Sequence, residues 1–547
     1  MSKKHLYNLS LIASFFATLF LVIFVRLDAL HAFDYVFGTA YYPIPSMAKP
    51  NKGVPYTDAT FHTTITRITD PTDTSSLPGG TFDGIYMNYA NISPANCDDT
   101  YLIFHTHNTG SYYIYYGPEY PDQTKRFKAK QIVAPLSNVT EAGGYNGYWS
   151  FSNQAPHWDN TNPNRLYFLA APSAQGRFQG PKMYYYDVSV GGNGTILHDF
   201  SRDANISKYW VGWIPNGSST DFYYIDWEEY NEPSADQKIW SITVYHAYAG
   251  NTHIVAVCTY QLDKNNHTDS PGGTLTQIAC STNANQIAIG DPKSQNTVSP
   301  DGTHVAIRRD GLTVTVFDKY LNKDGGSGWA HADTAIDADG NSVFAGVNLG
   351  PIKLDVSTNQ GYTALSKDFH GWYDYNNHTT YAANTNSCVG EYSGHAYSKP
   401  GWVVVGGYLV LYPSYPTLEW QDYSIYAIEL RRSGALWSYV YNSNAADVSY
   451  PNGNPPANPC RIWRIAHHHA YFGGNYNAIP QASFSPSGKY IYYVANWTVA
   501  GESPTDTNRT DIYQVTLPST WWEDLKGNKY KSDTTPPTIP TGLKILK

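Results

Sequence analysis

The sequence predicts an all-β protein, a β-propeller of seven four-stranded blades, with six or eight blades as the alternatives. Three observations predict it: a tight turn that recurs along the chain, a strand that follows most copies of that turn, and a composition rich in Tyr, Gly and Pro. One turn with its strands cannot bury its own apolar face, so the repeated units must stack on one another. Propellers stack such units around a central channel.

The recurring turn joins two strands. Proline fixes the backbone angle φ at its first position, and Gly or Asn tolerates a positive φ at the next. The two clearest copies lie at 298–307 and 484–493. Looser copies lie at 92–94, 162–168, 214–217, 336–340 and 398–401. Uneven spacing between the copies indicates insertions between blades or on one rim.

A strand rich in Tyr, Val and Ile follows most of these turns. β-branched and aromatic residues fit a pleated, half-buried surface, which favours strands. These segments are 111–116, 183–188, 239–244, 313–317, 352–356, 424–430 and 511–517. The composition agrees, since 48 Tyr, 44 Gly, 34 Pro and only 15% charged residues are typical of a turn-rich β protein. We assign the propeller to residues 80–520, after an N-terminal extension over 33–79.

The N-terminus predicts export. Lys3 and Lys4 precede an apolar run over 11–25, and small residues follow within 29–32. This is the order of a secretory signal, and the run is shorter than the roughly 20 residues that a membrane span needs. Residues 1–32 are therefore expected to be a signal peptide. An uncleaved signal anchor is the alternative and would be the protein's membrane contact. The protein is expected to be secreted or to lie on the cell surface.

Export has consequences for the surface and for the cysteines. Asn-x-Ser/Thr sequons are candidates for glycosylation, with chance occurrence as the alternative in a chain so rich in these residues. They are Asn91, Asn138, Asn193, Asn205, Asn216, Asn266, Asn377, Asn496 and Asn508. The 5 cysteines allow up to two disulfides. Cys258 and Cys280, on neighbouring strand-like segments, are the pair that we expect to join.

The partner is predicted to be a polysaccharide or a surface protein. A formal net charge of −9 argues against nucleic acid, although a local Lys or Arg patch could receive an acidic substrate. The C-terminal tail, residues 521–547, resembles the linker and first strand of a fibronectin type III domain. Such a free strand could pair with the sheet edge of another molecule and support self-assembly. A remnant without function is the alternative.

The first His-bearing segment combines an imidazole with two carboxylates. His331, Asp333 and Asp337 alternate along a strand just before a turn, so they would share one face near the central channel. Asp333 and Asp337 are also the one pair of carboxylates that suggests a hydrolase. A structural His–Asp hydrogen-bond network, as in WD-type propellers, is the alternative.

Two further segments carry His side chains. His395 lies at the same place in the next predicted blade, and Arg464 precedes the run of three His residues that starts at His467. We expect His331, Asp333 and His395 to be candidate ligands of one divalent cation, Mn, Zn or Ca. His395, His467 and Arg464 are the candidate catalytic groups. For the His run, a solvated loop or rim is the alternative.

These segments carry a resemblance to a known group. His-x-Asp, Gly-His-x-x-Ser with Pro-Gly-Trp, Arg-x-Ala-His-His-His and Ala-Asn-Trp occur in this order, and together they resemble secreted bacterial propellers that are largely uncharacterised. The resemblance covers roughly residues 80–520. It implies the fold and the compartment and supplies no reaction.

A more distant resemblance is to the propeller polysaccharide lyases. Oligogalacturonate lyases hold manganese with His residues and a Gln near the channel mouth, which implies His331 and His395 as ligands here. The chain departs from that pattern, because Tyr397 and Tyr392 stand where a second His and the Gln would be. The ulvan lyases use His, Tyr and Arg, and Asn153 with His157 resembles part of that pattern.

Three functions remain open at this point. The first, which we favour, is a propeller that recognises a glycan or protein partner, because Tyr and Trp on loops stack on sugar rings. The second is a polysaccharide lyase that acts on uronate-containing polysaccharide by metal- or Arg-assisted β-elimination. The third is a structural subunit of a glycosylated extracellular assembly.

Overall fold

The computed structural model describes residues 33–526 apart from segments between strands, of which the longest are 133–155, 354–372 and 438–460. The predicted signal over 1–32 and the predicted free strand within 527–547 lie outside the described residues. No helix among the described residues is long and apolar enough to span a bilayer. The described residues from Val36 onward form one compact unit, which contains all the sheets of the described part of the chain.

The chain is an all-β propeller, as predicted, built from antiparallel sheets that succeed one another along the sequence. The described residues form seven sheets of three to five strands, here named sheets one to seven, and two isolated strand pairs. Sheet one contains Ile85–Tyr86, Tyr101–Thr106, Tyr112–Tyr116 and Ala129–Ile132; sheet two contains His157–Trp158, Arg165–Ala170, Lys182–Asp187 and Thr195–Asp199. Sheet three contains Asp221–Asp226, Ile239–Tyr248, Asn251–Asp263 and Thr274–Ser281; sheet four contains Asn296–Val298, His304–Arg309, Thr313–Asp318 and Lys323–Gly325.

The remaining sheets include the strands nearest the two chain ends. Sheet five contains Asp333–Ile336, Ser342–Ala345 and Ile352–Lys353; sheet six contains Glu391–Ser393, Trp402–Gly406, Ser424–Glu429, Ile462–His467 and Val36–Phe37. Sheet seven contains Ser483–Phe484, Tyr490–Ala495, Asp511–Thr516, Thr64–Arg67 and Pro55–Thr57. The isolated pairs are Tyr373–Asp374 with Thr379–Thr380 and Arg432–Ser433 with Leu436–Trp437. Short helices lie at Gln123–Lys125, Phe200–Arg202, Ser207–Trp210 and Trp521–Leu525.

The N-terminal segment completes two sheets. Val36–Phe37 pairs with Ile462–His467 in sheet six, and Thr64–Arg67 pairs with Asp511–Thr516 in sheet seven. Sheet seven therefore contains strands from both ends of the described chain. The segment 33–79, which the sequence sets apart as an extension, supplies outer strands to the propeller.

The recurring turn has one hydrogen-bond pattern. The amide of Ser299 donates to the carbonyl of His304 at 2.9 Å, and the amide of Ser485 donates to that of Tyr490 at 2.9 Å. The left-handed position is Gly302 with φ 71° and Gly488 with φ 63°, where glycine lacks the Cβ that would cause strain. Both clear copies of the predicted turn are thus confirmed.

Two further copies have no glycine. The amide of Ser234 donates to the carbonyl of Ile239 at 3.0 Å, with Gln237 at φ 55°. The amide of Asn96 donates to the carbonyl of Tyr101 at 3.0 Å, with Asp99 at φ 61°. The predicted copy at 92–94 lies just before this second turn, and the one at 214–217 lies outside the described residues.

The core lies between neighbouring sheets. Leu169 and Met183 of sheet two pack with Trp240 of sheet three, and Ile254 of sheet three packs with Phe317 of sheet four. Similar clusters join sheets one and two, and sheets seven and one. Sheets seven, one, two, three and four therefore bury apolar faces against their neighbours, as the repeat predicts.

The structure also places the cysteines and some of the sequons. Cys258 and Cys280 lie directly opposite each other in sheet three and form a disulfide. Asn205 is exposed and donates its amide to Gln277. Asn496 is 5% exposed, so the folded chain leaves no room for a glycan there. The other seven sequons lie outside the described residues.

Candidate functional site

Three acidic or His side chains from three different sheets meet in the interior. Glu232 lies just before the turn Ser234–Ile239 that leads into sheet three, Asp333 opens the first strand of sheet five, and His395 follows the first strand of sheet six. One ligand atom from each lies within 4.8 Å of the others. Their exposed fractions are 5%, 0% and 8%, respectively. We call these three residues the acid–histidine cluster.

The cluster is held by close polar contacts. His395 Nε2 lies 2.9 Å from Glu232 Oε1 and 3.8 Å from Asp333 Oδ2. The amide of Gly394 donates to Asp333 Oδ2 at 2.6 Å, and the amide of Thr334 donates to Asp333 Oδ1 at 2.6 Å. Two backbone amides thus fix the orientation of the Asp333 carboxylate, one of them from the neighbouring sheet.

A half-buried tyrosine, Tyr397, extends the network. The Tyr397 hydroxyl donates to Glu232 Oε2 at 3.2 Å and lies 3.3 Å from Thr334 Oγ1. Burial raises the pKa of Glu232 well above its ordinary value, and the nearby Asp333 carboxylate raises it further. Burial also raises the pKa of Asp333. In the absence of a cation, the two carboxyl groups therefore favour keeping a proton between them.

Glycine is required beside the His. A Cβ built on Gly394 would lie 2.1 Å from the carbonyl oxygen of Thr334 and 2.6 Å from the Cβ of Ala335. These atoms belong to sheet five, so any side chain at this position would push sheets five and six apart. The Gly-His pair of the sequence thus brings His395 next to Asp333.

The structure brings two of the predicted metal ligands close together and places a third candidate ligand beside them. Asp333 and His395 meet, whereas His331 lies outside the described residues. Asp337 follows the end of the strand at Ile336, and its carboxylate accepts from Asn341 in its own turn. Glu232, which the sequence analysis missed, is the carboxylate that joins Asp333.

His467 belongs to a separate cluster. Its Nδ1 lies 3.0 Å from Asp58 Oδ2, and its amide donates to the same oxygen at 2.9 Å. Its Nε2 lies 3.3 Å from the carbonyl oxygen of Tyr42. Burial alone would raise the pKa of Asp58, but hydrogen bonds and charge from His467, with the amide of Phe61, lower it to about 2. His467 therefore fastens the N-terminal segment to sheet six.

Arg464 has the same role. Its guanidinium donates to the carbonyl of Ala40 at 2.7 Å and to Ser424 Oγ at 2.7 Å. The guanidinium carbon lies 5.6 Å and 5.2 Å from the ring centroids of Tyr42 and Phe61. The residue is 0% exposed. Arg464 and His467 therefore both contact the N-terminal segment, and Ser424 of sheet six is a further partner of Arg464.

The rest of the His run is buried, so the alternative of a solvated loop is wrong. His468 is 0% exposed, donates from Nε2 to the carbonyl of Gly407 at 2.8 Å and accepts the amide of Ala470 on Nδ1. Burial lowers the pKa of His468 to about 3, so its ring is neutral at pH 7. His469 is 1% exposed and stacks on Trp497 with ring centroids 4.0 Å apart.

The residues named for the lyase resemblance are also internal. His157 is 6% exposed and meets Trp240 edge to face, with centroids 5.5 Å apart. Tyr392 is 2% exposed in the first strand of sheet six. Asn153 lies outside the described residues.

The chain was also compared with known proteins. No protein-family model matches it, and no curated protein matches it. Among solved structures, it is similar to an oligogalacturonate lyase in complex with manganese, with 12% identity, 89% of this chain and 100% of that chain covered, and a TM-score of 0.42. An oligogalacturonate lyase from Vibrio parahaemolyticus shows 9% identity, coverage of 86% and 97%, and a TM-score of 0.34. The β-propeller domain of Cps50 from Myceliophteria thermophila shows 8% identity, coverage of 79% of this chain and 97% of that chain, and a TM-score of 0.32. At this level, similarity of backbone says nothing about chemistry.

Proposed function

We propose that this chain is an exported β-propeller that recognises a polysaccharide or protein partner outside the cell or at its surface. One observation carries the proposal: the candidate catalytic groups are committed to internal contacts. Arg464 and His467 are 0% exposed, and His395 is 8% exposed. A catalytic group must touch its substrate, whereas these three hold sheets and the N-terminal segment together.

A cluster of tyrosines supports a sugar ligand. Tyr116 and Tyr120 are half-buried beside the core of sheets one and two, with ring centroids 4.4 Å apart. Tyr101 lies 5.6 Å from Tyr120, and the Lys125 ammonium lies 5.9 Å from the centre of the Tyr116 ring. Aromatic faces offer apolar contact with a polar edge, which suits a ring that has both C–H faces and hydroxyl groups.

One divalent cation, Mn²⁺, Zn²⁺ or Ca²⁺, is part of this proposal. The acid–histidine cluster has the donor atoms for it. Because all three residues are at most 8% exposed, we assign the cation a structural role.

The test is a binding screen combined with an elimination assay. Residues 33–547 are incubated with a panel of neutral and uronate polysaccharides, and binding is followed by calorimetry while ultraviolet absorbance reports unsaturated uronate. We expect saturable binding to at least one polysaccharide with a flat absorbance trace. The variant Tyr116→Ala/Tyr120→Ala should lose at least tenfold in affinity. The control Tyr320→Ala, which changes a 58% exposed Tyr of sheet four, should bind as wild type.

Two outcomes would overturn the proposal. Growth of absorbance that is abolished in His395→Ala would make the protein a lyase. If folded protein binds no polysaccharide of the panel, the sugar ligand is refuted and a protein partner is left as the alternative. Export is tested separately by sequencing the N-terminus of the protein recovered from the medium, which we expect to begin near residue 33.

A further inference from the structure

We propose that Glu232, Asp333 and His395 bind one divalent transition-metal ion that ties sheets three, five and six together. The proposal fixes which three sheets the ion joins and which class of ion the site selects, and it does not depend on the partner that the propeller recognises. It rests on the charge, the geometry and the chain positions of the acid–histidine cluster.

The charges of the cluster call for a cation. Glu232 and Asp333 place two carboxyl groups in the interior at 5% and 0% exposure. Moving a carboxylate out of water costs several kcal/mol unless opposite charge compensates it. A divalent ion balances both carboxylates at once, replaces the proton that the two carboxyl groups otherwise share, and leaves the imidazole neutral as a ligand.

The distances fit a single ion. Ligand atoms about 2.1 Å from a tetrahedral ion lie about 3.4 Å from one another. The two distances from His395 Nε2, 2.9 Å to Glu232 Oε1 and 3.8 Å to Asp333 Oδ2, fall on either side of that value.

The surroundings of the donors support this arrangement. Metal-binding carboxylates are usually held by further hydrogen bonds that orient them. Here the Gly394 amide donates to Asp333, and the Tyr397 hydroxyl donates to Glu232. Gly394 and Tyr397 flank His395 in the chain, so one loop of sheet six supplies a ligand and orients the other two.

The donor set selects the class of ion. Ca²⁺ takes six to eight oxygen ligands, and an imidazole is a poor substitute for one of them. One imidazole nitrogen with two carboxylate oxygens suits Zn²⁺ or Mn²⁺. Of the three ions that the sequence suggests, the structure therefore favours these two.

The chain positions make such an ion a cross-link. The three ligands come from three sheets and are separated by about one hundred and about sixty residues in the sequence. The unfolded chain does not hold them together, so the ion binds the folded state and stabilises it in proportion to the logarithm of its free concentration.

The experiment measures metal content and thermal unfolding of the full secreted chain, residues 33–547. Protein stripped with a chelator is dialysed against Zn²⁺, Mn²⁺, Ca²⁺ or Mg²⁺, washed, and analysed by mass spectrometry for bound ion. We expect one Zn²⁺ or Mn²⁺ per chain and a Tm that rises with the concentration of that ion, with little response to Ca²⁺ or Mg²⁺. Glu232→Gln keeps the shape of the side chain and removes its charge. This variant should abolish both the bound ion and the ion-dependent rise in Tm.

The matched control is Asp337→Asn. Asp337 is a buried carboxylate at the other end of the Asp333–Ile336 strand, and its own turn satisfies it. This variant should keep one ion per chain and the full rise in Tm. Wild-type protein that retains no ion from any dialysis would refute the site, even if Glu232→Gln fails to fold. An equal ion-dependent rise in Glu232→Gln and Asp337→Asn would place the ion elsewhere, whereas failure to bind a polysaccharide would leave this result unchanged.

Discussion

Buried histidines in this chain hold the fold together. His467 pairs with Asp58, His468 bonds a carbonyl, and His469 stacks on Trp497. The three are consecutive at the end of the strand Ile462–His467, yet each contacts a different part of the chain. A run of imidazoles that looks like a catalytic motif thus serves as three separate structural contacts.

The lowered pKa of the buried His468 is expected to make the fold less stable in acid. Its folded pKa of about 3 lies below the ordinary 6.5, so the unfolded state binds the proton more tightly between these values. Stability that is complete above pH 6.5 should therefore fall as the pH falls toward 3. At pH 5, the expected loss is about 2 kcal/mol. Chemical denaturation of the wild type between pH 4 and pH 8 measures it.

The variant His468→Gln isolates this contribution. A neutral amide cannot take up the proton, so the drop in stability between pH 7 and pH 5 should shrink by about 2 kcal/mol relative to wild type. His304→Gln, in the Ser299–His304 turn of sheet four, is the control for loss of an imidazole elsewhere. If both variants show the same pH dependence as wild type, His468 is not the residue responsible.

At the scale of the element, the turns show what sequence can and cannot predict. Pro300-Asp-Gly302 identifies its turn because the residue at the left-handed position is the one that prefers it. The equivalent turns with Gln237 and Asp99 at that position carry no such signal. Glu232 precedes the turn that contains Gln237, so it was missed together with that turn.

Close approach of two elements makes Gly394 irreplaceable. Gly394→Ala would place a methyl group 2.1 Å from the Thr334 carbonyl oxygen, and that atom is backbone in a neighbouring strand. We expect a loss of at least about 3 kcal/mol, the upper range for overpacking in a core. The measurement is the shift in denaturation midpoint, converted to free energy with the slope of the same curve.

Gly340→Ala is the matched control. Gly340 has φ +86°, but a Cβ there has no atom within 4 Å. The variant should therefore cost only the strain of the left-handed conformation, about 1 kcal/mol. Equal losses for the two variants would mean that sheets five and six can separate without penalty at Gly394.

At the scale of the whole molecule, the blade pattern was available from sequence, and the site was available only in part. Strands such as Thr313–Asp318 and Asp511–Thr516 have alternating or continuous apolar residues that predict them locally. Asp333 and His395 were nominated because each lies beside a recognisable turn. Their proximity to Glu232 depends on how three sheets are arranged in the fold, and no local sequence pattern encodes that arrangement.

Closure of the ring gives a prediction for the whole chain. Sheet seven depends on Thr64–Arg67, which pairs with Asp511–Thr516 and buries Ile65 completely. A chain beginning at residue 72 loses this strand and leaves the edge of Asp511–Thr516 unpaired, a template for aggregation. A chain beginning at Ala40 loses one short strand, Val36–Phe37, at the outer edge of sheet six and keeps every strand of sheet seven.

The two truncations should therefore differ sharply. The longer deletion removes the buried Ile65, worth roughly 2 kcal/mol, together with Asp58, the partner of His467. We expect it to aggregate or to unfold at a much lower denaturant concentration, while the chain from Ala40 stays monomeric with a midpoint near that of residues 33–547. Size-exclusion chromatography measures the aggregation state of the three chains, and denaturation curves measure their midpoints. Similar midpoints for both truncated chains would show that the propeller closes without its N-terminal strand.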